Sequence, residues 1–579
     1  MASICRVYYA ITRFVYLHPI NNISFLYLHK MKNIVTLLLV LVSSLIYSQT
    51  VGVLSKTDDA LSGYTFFSPF SGTKAYMVDN CGNLINEWDR GTRPGLAAYF
   101  LDNGLMLRTY KPALNGPFTS ASNAGGLELV DWDNNTTWSY EINSAEQLSH
   151  HDAVMMTNGN ILVLTWELTY REELESLGRD PDEIANENFM WSEKILELQP
   201  VGTNEANIIW QWHINDHYIQ DFDNTKAGFG VVSDHPELFN INLPELNSSN
   251  SNATRDWNHF NAIDYNEALD QIILSVRNSD EVWILDHSTT IEEASSHEGG
   301  IYGRGGDILY RWGNASAYQG APVSDQQLFG QHGVNWIRSG LQDEGQIMIF
   351  NNGNGKPGAD FSQVELLNPP QDSLGFYYIE SNGTFGPIEA NTTYGDKLSE
   401  RFYSAYLSNA QRLPNGNTLI NAGSPGRIFE VTTNDEIVWE YEIPLSGDAP
   451  ATQGQSVNNN GNFRAYKFPN DFAGFDGIDL TPGLPIENNP LDCELNVTTE
   501  DEFNSEFRIW YDAVSNSIRF DEVDILDARL EVFDLQGRLV TWFKLDGQSA
   551  YQLPTFSKGI YVSRVISKDK FQSIKFLVD

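Results

Sequence analysis

Three histidines hold matching places in this sequence. His151 stands in "SHHDAVMM", His259 in "DWNHFNAI" and His332 in "LFGQHGVNWI". Each precedes or opens an apolar run of strand character that ends in a turn. With an unperturbed pKa near 6.5, an imidazole is mostly uncharged at neutrality yet serves as nucleophile, base or acid. One histidine at the mouth of a strand is usually packing. Three at equivalent positions of successive repeats point to one site that the fold assembles. Arg277, eighteen residues after His259 in "ILSVRNSDEVWIL", joins them. A guanidinium in an apolar strand needs a carboxylate partner within the sheet or an anion to hold, and both readings stand. Such a set suits the handling of an anionic group: a fork of donors to grip it, a neutral imidazole to attack it, and others to move a proton.

Weaker candidates surround this set. His150 precedes His151, and adjacent strand residues face opposite sides, so one of the pair enters the site. His151 is expected there, with His150 at the surface or behind it. In "WHINDHYIQDFD", His213 and His217 are four apart with carboxylates nearby, a zinc spacing if helical, but without the HExxH pattern. Capping or packing is the expectation, and no metal is assigned. "DWDNN" from Asp131 imitates part of a calcium loop but reads as a turn. There is no P-loop, no GxGxxG on a strand–helix unit and no GxSxG elbow, so no cofactor and no nucleotide donor are indicated. Of the three cysteines, Cys5 falls in the leader. Cys81 and Cys493, far apart in sequence, are expected to be a small apolar filler and a linker residue rather than a disulfide.

The elements that must position these residues are strands. The chain repeats a short alternating run, a turn of Asn, Asp and Gly, and a second run that often ends in tryptophan. "AYMVDNCGNLINEWD" from Ala75, "LELVDWDNNTTWSYEI" from Leu127 and "IFEVTTNDEIVWEYEI" are examples. Asn-Gly and Asp/Asn pairs supply the positive φ of hairpin turns. Helical periodicity is nearly absent, the exception being "REELESLGRD" from Arg171. Serial four-stranded units predict an all-β chain: a six-bladed β-propeller over 49–475, with inserted loops, followed by a linker at 476–504 and a small β-sandwich at 505–579.

The first 48 residues read as leader. "MKNIVTLLLVLVSSLIYSQT", with Met31 as the start and cleavage after Ser48, has the basic and apolar parts of a secretory signal. No later run is long and apolar enough to span a membrane. The net charge of −40 excludes nucleic acid as a natural partner, and an anionic substrate needs a local positive pocket.

The stretches "QLSHHDAVMMTNGNILVLTWE", "NHFNAIDYNEALDQIILSVRN", "DILYRWGN", "LFGQH" and "AQRLPNGNTLI" resemble the bacterial aryl-sulfate sulfotransferase (arylsulfotransferase) family, from about Gly63 to Lys467. The resemblance implies a six-bladed propeller that moves sulfuryl groups from a phenolic sulfate donor to a phenol acceptor by a ping-pong route. By the same resemblance, His332 is the histidine that becomes transiently sulfated. His259, Asn261 and His151 are pocket residues, Arg277 binds sulfate, and Tyr466 in "FRAYKF" is a late pocket tyrosine. Gly333, directly after His332, is expected to loosen its position. The tail, with "GIYVSRV" and Lys575-Phe576 and a turn at Asp534–Gly537, resembles the sorting domain of type IX secretion, which implies that machinery as partner. It also implies a secreted or cell-surface protein, with the periplasm as alternative. A homodimer is left open. Two other functions remain: a ligand-binding or surface-interaction propeller without turnover, and an aryl sulfate hydrolase.

Overall fold

The alternating runs become strand after strand. The computed structural model describes residues 50–243, 255–358, 360–395, 402–491 and 493, and most of 509–578; the leader and Cys5 lie outside them. The protein is all-β with little helix. Helix α1 (Arg171–Ser176) forms from "REELES", and α2 (Ile291–Ala294) starts at a Thr290–Glu293 capping box. Among the described residues no helix is long and apolar enough to cross a membrane. The chain divides into two compact units, Met1–Asn496 and Val497–Asp579.

In the first unit, antiparallel sheets of four or five strands follow one another. Six of their edge strands are β1 (Pro94–Phe100), β2 (Gln147–Met155), β3 (Phe260–Asn266), β4 (His332–Trp336), β5 (Asn409–Arg412) and β6 (Asn462–Pro469). Each packs on the next, and β6 packs back on β1, so the edge strands close a cycle. From each of them the sheet runs on through hairpins. The sheet of β6 is built on Gly63–Pro69, Lys74–Asp79 and Leu84–Asp89, and that of β5 gains Gly52–Lys56 beyond Ile437–Glu442. Chain segments from opposite ends therefore share two sheets, which ties the cycle shut.

Tryptophans join sheet to sheet. Each stands on the fourth strand of its sheet and donates its indole N–H to the next. Trp88 bonds Asp131 O, Trp138 bonds Glu205 O, Trp212 bonds Gly306 O, Trp312 bonds Pro387 O, and Trp439 bonds Asn80 O. An indole buries some 150–250 Å² and needs an acceptor for its one donor, which these carbonyls supply. At about 25 cal/mol per Å², each contributes on the order of 4–6 kcal/mol of transfer free energy. In the sheet of β4 Tyr394 takes this place, with its hydroxyl 3.2 Å from Arg412 of β5.

One sequence expectation is overturned. Cys81 and Cys493 form a disulfide, with Cα atoms 5.3 Å apart across 412 residues of sequence. Sequence distance misleads in a chain that closes on itself. Cys81 sits in the turn after Lys74–Asp79, and the segment that leads to Cys493 runs back along the same sheet. Gly483 N donates to Leu84 O, Leu84 N donates to Leu484 O, and Asn83 bridges Pro485.

The second unit has a four-stranded sheet in the order Leu539–Asp546, Leu526–Asp534, Gly559–Ser567, Lys570–Val578. A three-stranded sheet joins Ile509–Asp512, Ser517–Phe520 and Ala550–Gln552. Ile518, Leu530, Val532, Leu545 and Val565 form its core. Of the expected turn after Asp534, residues 535–537 lie outside the described ones; the flanking strands pair antiparallel.

Candidate active site

His151 and His332 lie where their strands break register, and His259 stands just before the break in its strand. Pairing slips between Ala153 and Ser149 in β2, between Phe260 and Ala262 in β3, and between His332 and Asn335 in β4. A bulge of this kind re-aims side chains and is common beside active sites. The backbone is left-handed at the same points, with φ of 44° at His151, 57° at His259 and 59° at Gly333. For a residue with a Cβ that conformation costs roughly 1–2 kcal/mol. Gly333 does not loosen its neighbour: a Cβ there would fall 2.7 Å from Asn409 Cα and 2.8 Å from Ser408 O. The glycine lets the backbone pack this tightly, which fixes His332.

His332 is buried, 4% exposed. Its Nδ1 lies 2.8 Å from Asn352 Oδ1 and 3.1 Å from Gly330 O. The amide of Asn352 is oriented by its own Nδ2, which donates to Ser404 O and Leu407 O. Two acceptors therefore face Nδ1, so Nδ1 carries the hydrogen and Nε2 keeps the lone pair. Burial, followed by the nearby Arg277 guanidinium, holds the pKa of His332 well below the ordinary value, so the ring is neutral.

The rings of His151 and His259 meet edge to face, 4.6 Å between centroids. His259 Nδ1 lies 2.6 Å from Asp256 Oδ2, which leaves Nε2 to face away from the acid. His150 is not at the surface: it is fully buried and stacked on Trp166 at 4.1 Å. The bulge and the positive φ of His151 break the alternation that would have parted the two imidazoles, and their Nδ1 atoms are 2.9 Å apart. His150 Nε2 reaches Glu193 Oε2 at 3.0 Å, and Glu193 Oε1 accepts from Phe260 N at 2.8 Å. A hydrogen-bonded chain thus runs from Glu193 through His150 to His151. Burial lowers the pKa of His150 to about 3 and that of His151 well below normal, and raises that of Glu193 well above it.

Arg277 is at the end of its strand rather than inside it, opening the turn Arg277–Ser279, and its backbone N–H donates to His259 O. A second arginine stands nearby. Arg464 of β6 is buried, pairs with Asp152 Oδ2 at 3.0 Å, donates to Asn261 O at 3.1 Å, and its charge also disfavours protonation of His151 and His332. Asn261 is buried and donates to Gln331 O at 2.8 Å, while its Oδ1 has no hydrogen-bond partner among the described residues. The carbonyl fixes the amide's orientation, so Asn261 offers an acceptor rather than a donor. Tyr466 is grouped differently: its ring meets Tyr99 at 5.4 Å, and Tyr99 bonds Asp152.

The structure thus gathers His151, His259, Asn261, Arg277 and His332, and sets Tyr466 with Tyr99 and the Arg464–Asp152 pair. Sequence reasoning missed Asn352, Asp256, Glu193 and Arg464. Arg464 had a signal, an arginine in the apolar run "NFRAYKF", the argument that singled out Arg277. His213 and His217 do not form one site. A turn, Ile214–Asp216, separates them; His213 bonds Glu167 and His217 bonds Asp307.

Comparison with solved structures finds distant likenesses. A protein of unknown function from Bacteroides caccae shares 11% identity over 66% of this chain and 93% of its own, TM-score 0.36. Virginiamycin B lyase from Staphylococcus aureus shares 10% over 69% and 87%, TM-score 0.31. The periplasmic gluconolactonase of Pseudomonas aeruginosa shares 9% over 70% and 99%, TM-score 0.32. No curated protein sequence matches significantly. The family model described as Arylsulfotransferase (ASST) matches residues 76–443, a span that holds all three histidines, Asn261 and Arg277. The chain belongs to the arylsulfotransferase family, and its general function is sulfuryl transfer.

Proposed function

We propose that the protein is an exported aryl-sulfate sulfotransferase that works through a sulfated His332, on a six-bladed propeller whose cycle of edge strands lines the site. The observation that carries this reading is the fixed lone pair of His332 Nε2 in a buried, neutral ring beside arginines. Nε2 attacks the sulfur of a phenolic sulfate, the N–S bond forms, and the S–O bond to the aryl oxygen breaks. Arg277 holds the sulfonate oxygens through its planar fork, with Arg464 adding charge from behind. The departing phenolate takes a proton from His151 or His259. In the second half an acceptor phenol attacks the same sulfur, the N–S bond breaks, and the phenol's proton returns to the base. Asn261 Oδ1 can accept the incoming hydroxyl.

The chain Glu193–His150–His151 gives that proton a path. When His151 Nε2 releases a proton to phenolate, its Nδ1 takes one from His150, whose Nε2 takes one from Glu193. The reverse shift accepts the phenol's proton. In both directions the imidazoles end neutral, so no cation is stranded beside the arginines.

Export is supported by the leader-like first 48 residues and by the disulfide, since such bonds persist in oxidising compartments. We read the second unit, with its two sheets, as a β-sandwich that serves type IX sorting. The test is release of nitrophenolate from 4-nitrophenyl sulfate with and without added phenol, in wild type and His332→Ala. Turnover that needs phenol and is lost in the variant supports transfer. Equal turnover without acceptor means hydrolysis, and wild-type rates in His332→Ala overturn the assignment.

A further inference from the structure

Away from the imidazole cluster, two loops meet at a second set of ligating side chains. His217 follows the strand Glu205–His213 by one turn, and His297 and Asp307 lie in the loop that carries α2. The Nδ1 atoms of His217 and His297 each lie 2.8 Å from the same oxygen, Asp307 Oδ1. Among the described residues, this is the group of three whose ligating atoms all fall within 4.8 Å of one another. The His217 and Asp307 side chains are 1% and 7% exposed and that of His297 is 59% exposed, so the group is open on one side.

The hydrogen bonds of His217 define which nitrogen faces the acid. Nε2 is 2.8 Å from Ala294 O. A carbonyl only accepts, so Nε2 carries a hydrogen, and Nδ1 faces a carboxylate oxygen. That contact needs a positive charge at Nδ1, supplied by a proton or by a metal ion bound to both atoms. The ring has no freedom to turn away: it stacks on Trp212 at 3° and 5.5 Å, and a Cβ at Gly306 would fall 2.5 Å from Nε2. An imidazole whose second nitrogen donates to a backbone carbonyl is the arrangement that orients metal-binding histidines. His287 has different partners: its two nitrogens face two separate carboxylates, Asp270 at 2.7 Å and Glu197 at 3.2 Å. His217 has one carboxylate oxygen, and a second imidazole shares it.

We propose that His217, His297 and Asp307 bind a divalent transition-metal ion, with zinc the ion that two imidazoles and one carboxylate suit best. Water on the open side completes its shell. The ion ties the loop after Glu205–His213 to the loop that carries α2, joining the sheets of β2 and β3. This is independent of the sulfuryl-transfer reading.

The test uses the full chain, stripped with chelator and dialysed against zinc chloride, with bound metal counted by elemental analysis and cobalt(II) spectra as a second readout. Wild type is expected to hold one zinc per chain, to show visible cobalt absorption with imidazole ligation, and to melt higher with zinc than with chelator. His297→Ala removes an exposed imidazole and should leave the fold intact. It should weaken zinc binding by more than about tenfold and erase the cobalt spectrum. No stoichiometric zinc in wild type, or equal affinity in His297→Ala, overturns the proposal and leaves a protonated His217–Asp307 pair.

Discussion

Asn352→Ala tests how His332 is prepared. Asn352 touches no substrate in the proposed reaction; it acts by holding the hydrogen on His332 Nδ1 at 2.8 Å. In the resting ring this is one neutral hydrogen bond, worth about 0.5–1.5 kcal/mol, with Gly330 O at 3.1 Å as a partial substitute. As Nε2 bonds to sulfur the ring gains positive character, and the same bond becomes charge-assisted, worth about 1.5–3 kcal/mol. Only the difference between the two, about 1–1.5 kcal/mol, lowers the barrier, so the variant should slow sulfation by about 5–12-fold, at about 1.4 kcal/mol per tenfold. Ser404 O and Leu407 O lose a donor, so the melting temperature should also fall, and rates must be normalised to folded protein. The assay is the nitrophenolate burst from 4-nitrophenyl sulfate without acceptor. Its amplitude, one per site, should hold while its rate constant drops. A folded variant with an unchanged burst rate would refute the argument that the Nδ1 partners create the Nε2 nucleophile.

Further predictions follow from the same contacts. In Glu193→Gln, Oε1 can still accept from Phe260 N, but the amide can neither give nor take the relayed proton. Transfer to phenols of high pKa should fall by up to about 10²–10⁴-fold while the nitrophenolate burst stays near wild type, because a good leaving group needs little protonation; equal loss in both would mean a merely structural role. Stability should fall with acid. His150, whose folded pKa of about 3 lies below the unfolded value near 6.5, takes up no proton in the native state as pH drops, whereas the unfolded chain does. At pH 5 this costs about 2 kcal/mol, with His151 and His332 acting in the same direction. His287 works oppositely: raised to about 9, it adds stability fully present below about 6.5 and lost as pH rises through 9. Melting from pH 5 to 9 should show a maximum near neutrality, and a monotonic rise or fall would contradict these shifts. Cys493→Ser opens a 412-residue loop, for which chain entropy gives an upper limit of about 6 kcal/mol and common experience about 2–4. Its melting temperature should drop to that of reduced wild type, and no change would mean that the bond is dispensable.

The strands and their order along the chain were legible because each is written locally, in alternation and in Asn-Gly turns. So were the tryptophan joints, because each lies at the same place in its repeat. Which strands close the ring was not. Gly52–Lys56 and Gly63–Pro69 read like any other strand, and nothing local says that their partners lie some four hundred residues away. The missed disulfide is the same error, since separation in sequence was taken for separation in space. At the site, residue types carried the histidines and Arg277. The bulges that bring His150 beside His151 were hidden, because a bulge is a single extra residue and alternation reads through it. Asp256 and Glu193 were hidden by abundance. In a chain with 76 acidic residues, only the fold distinguishes a carboxylate that orients an imidazole from one that keeps the surface wet.

The net charge of −40 and an anionic donor are reconciled by distance. At physiological salt the field of surface carboxylates decays over about 8 Å, whereas Arg464 is buried and Arg277 is half-buried, so salt screens these two less than it screens the surface. Carboxylates near the site have partners of their own: Asp152 pairs with Arg464, Asp256 with His259 and Glu193 with His150, and Asp280 couples to Arg277 and accepts from Gly330 N. The same burial has two consequences that cannot be separated. It keeps His332 and His151 uncharged and therefore reactive, and it makes the folded state resist protonation where the unfolded chain does not. A change that stabilises the protein in acid by exposing these rings must then also raise their pKa toward the ordinary value near 6.5 and, below that pH, protonate the nucleophile.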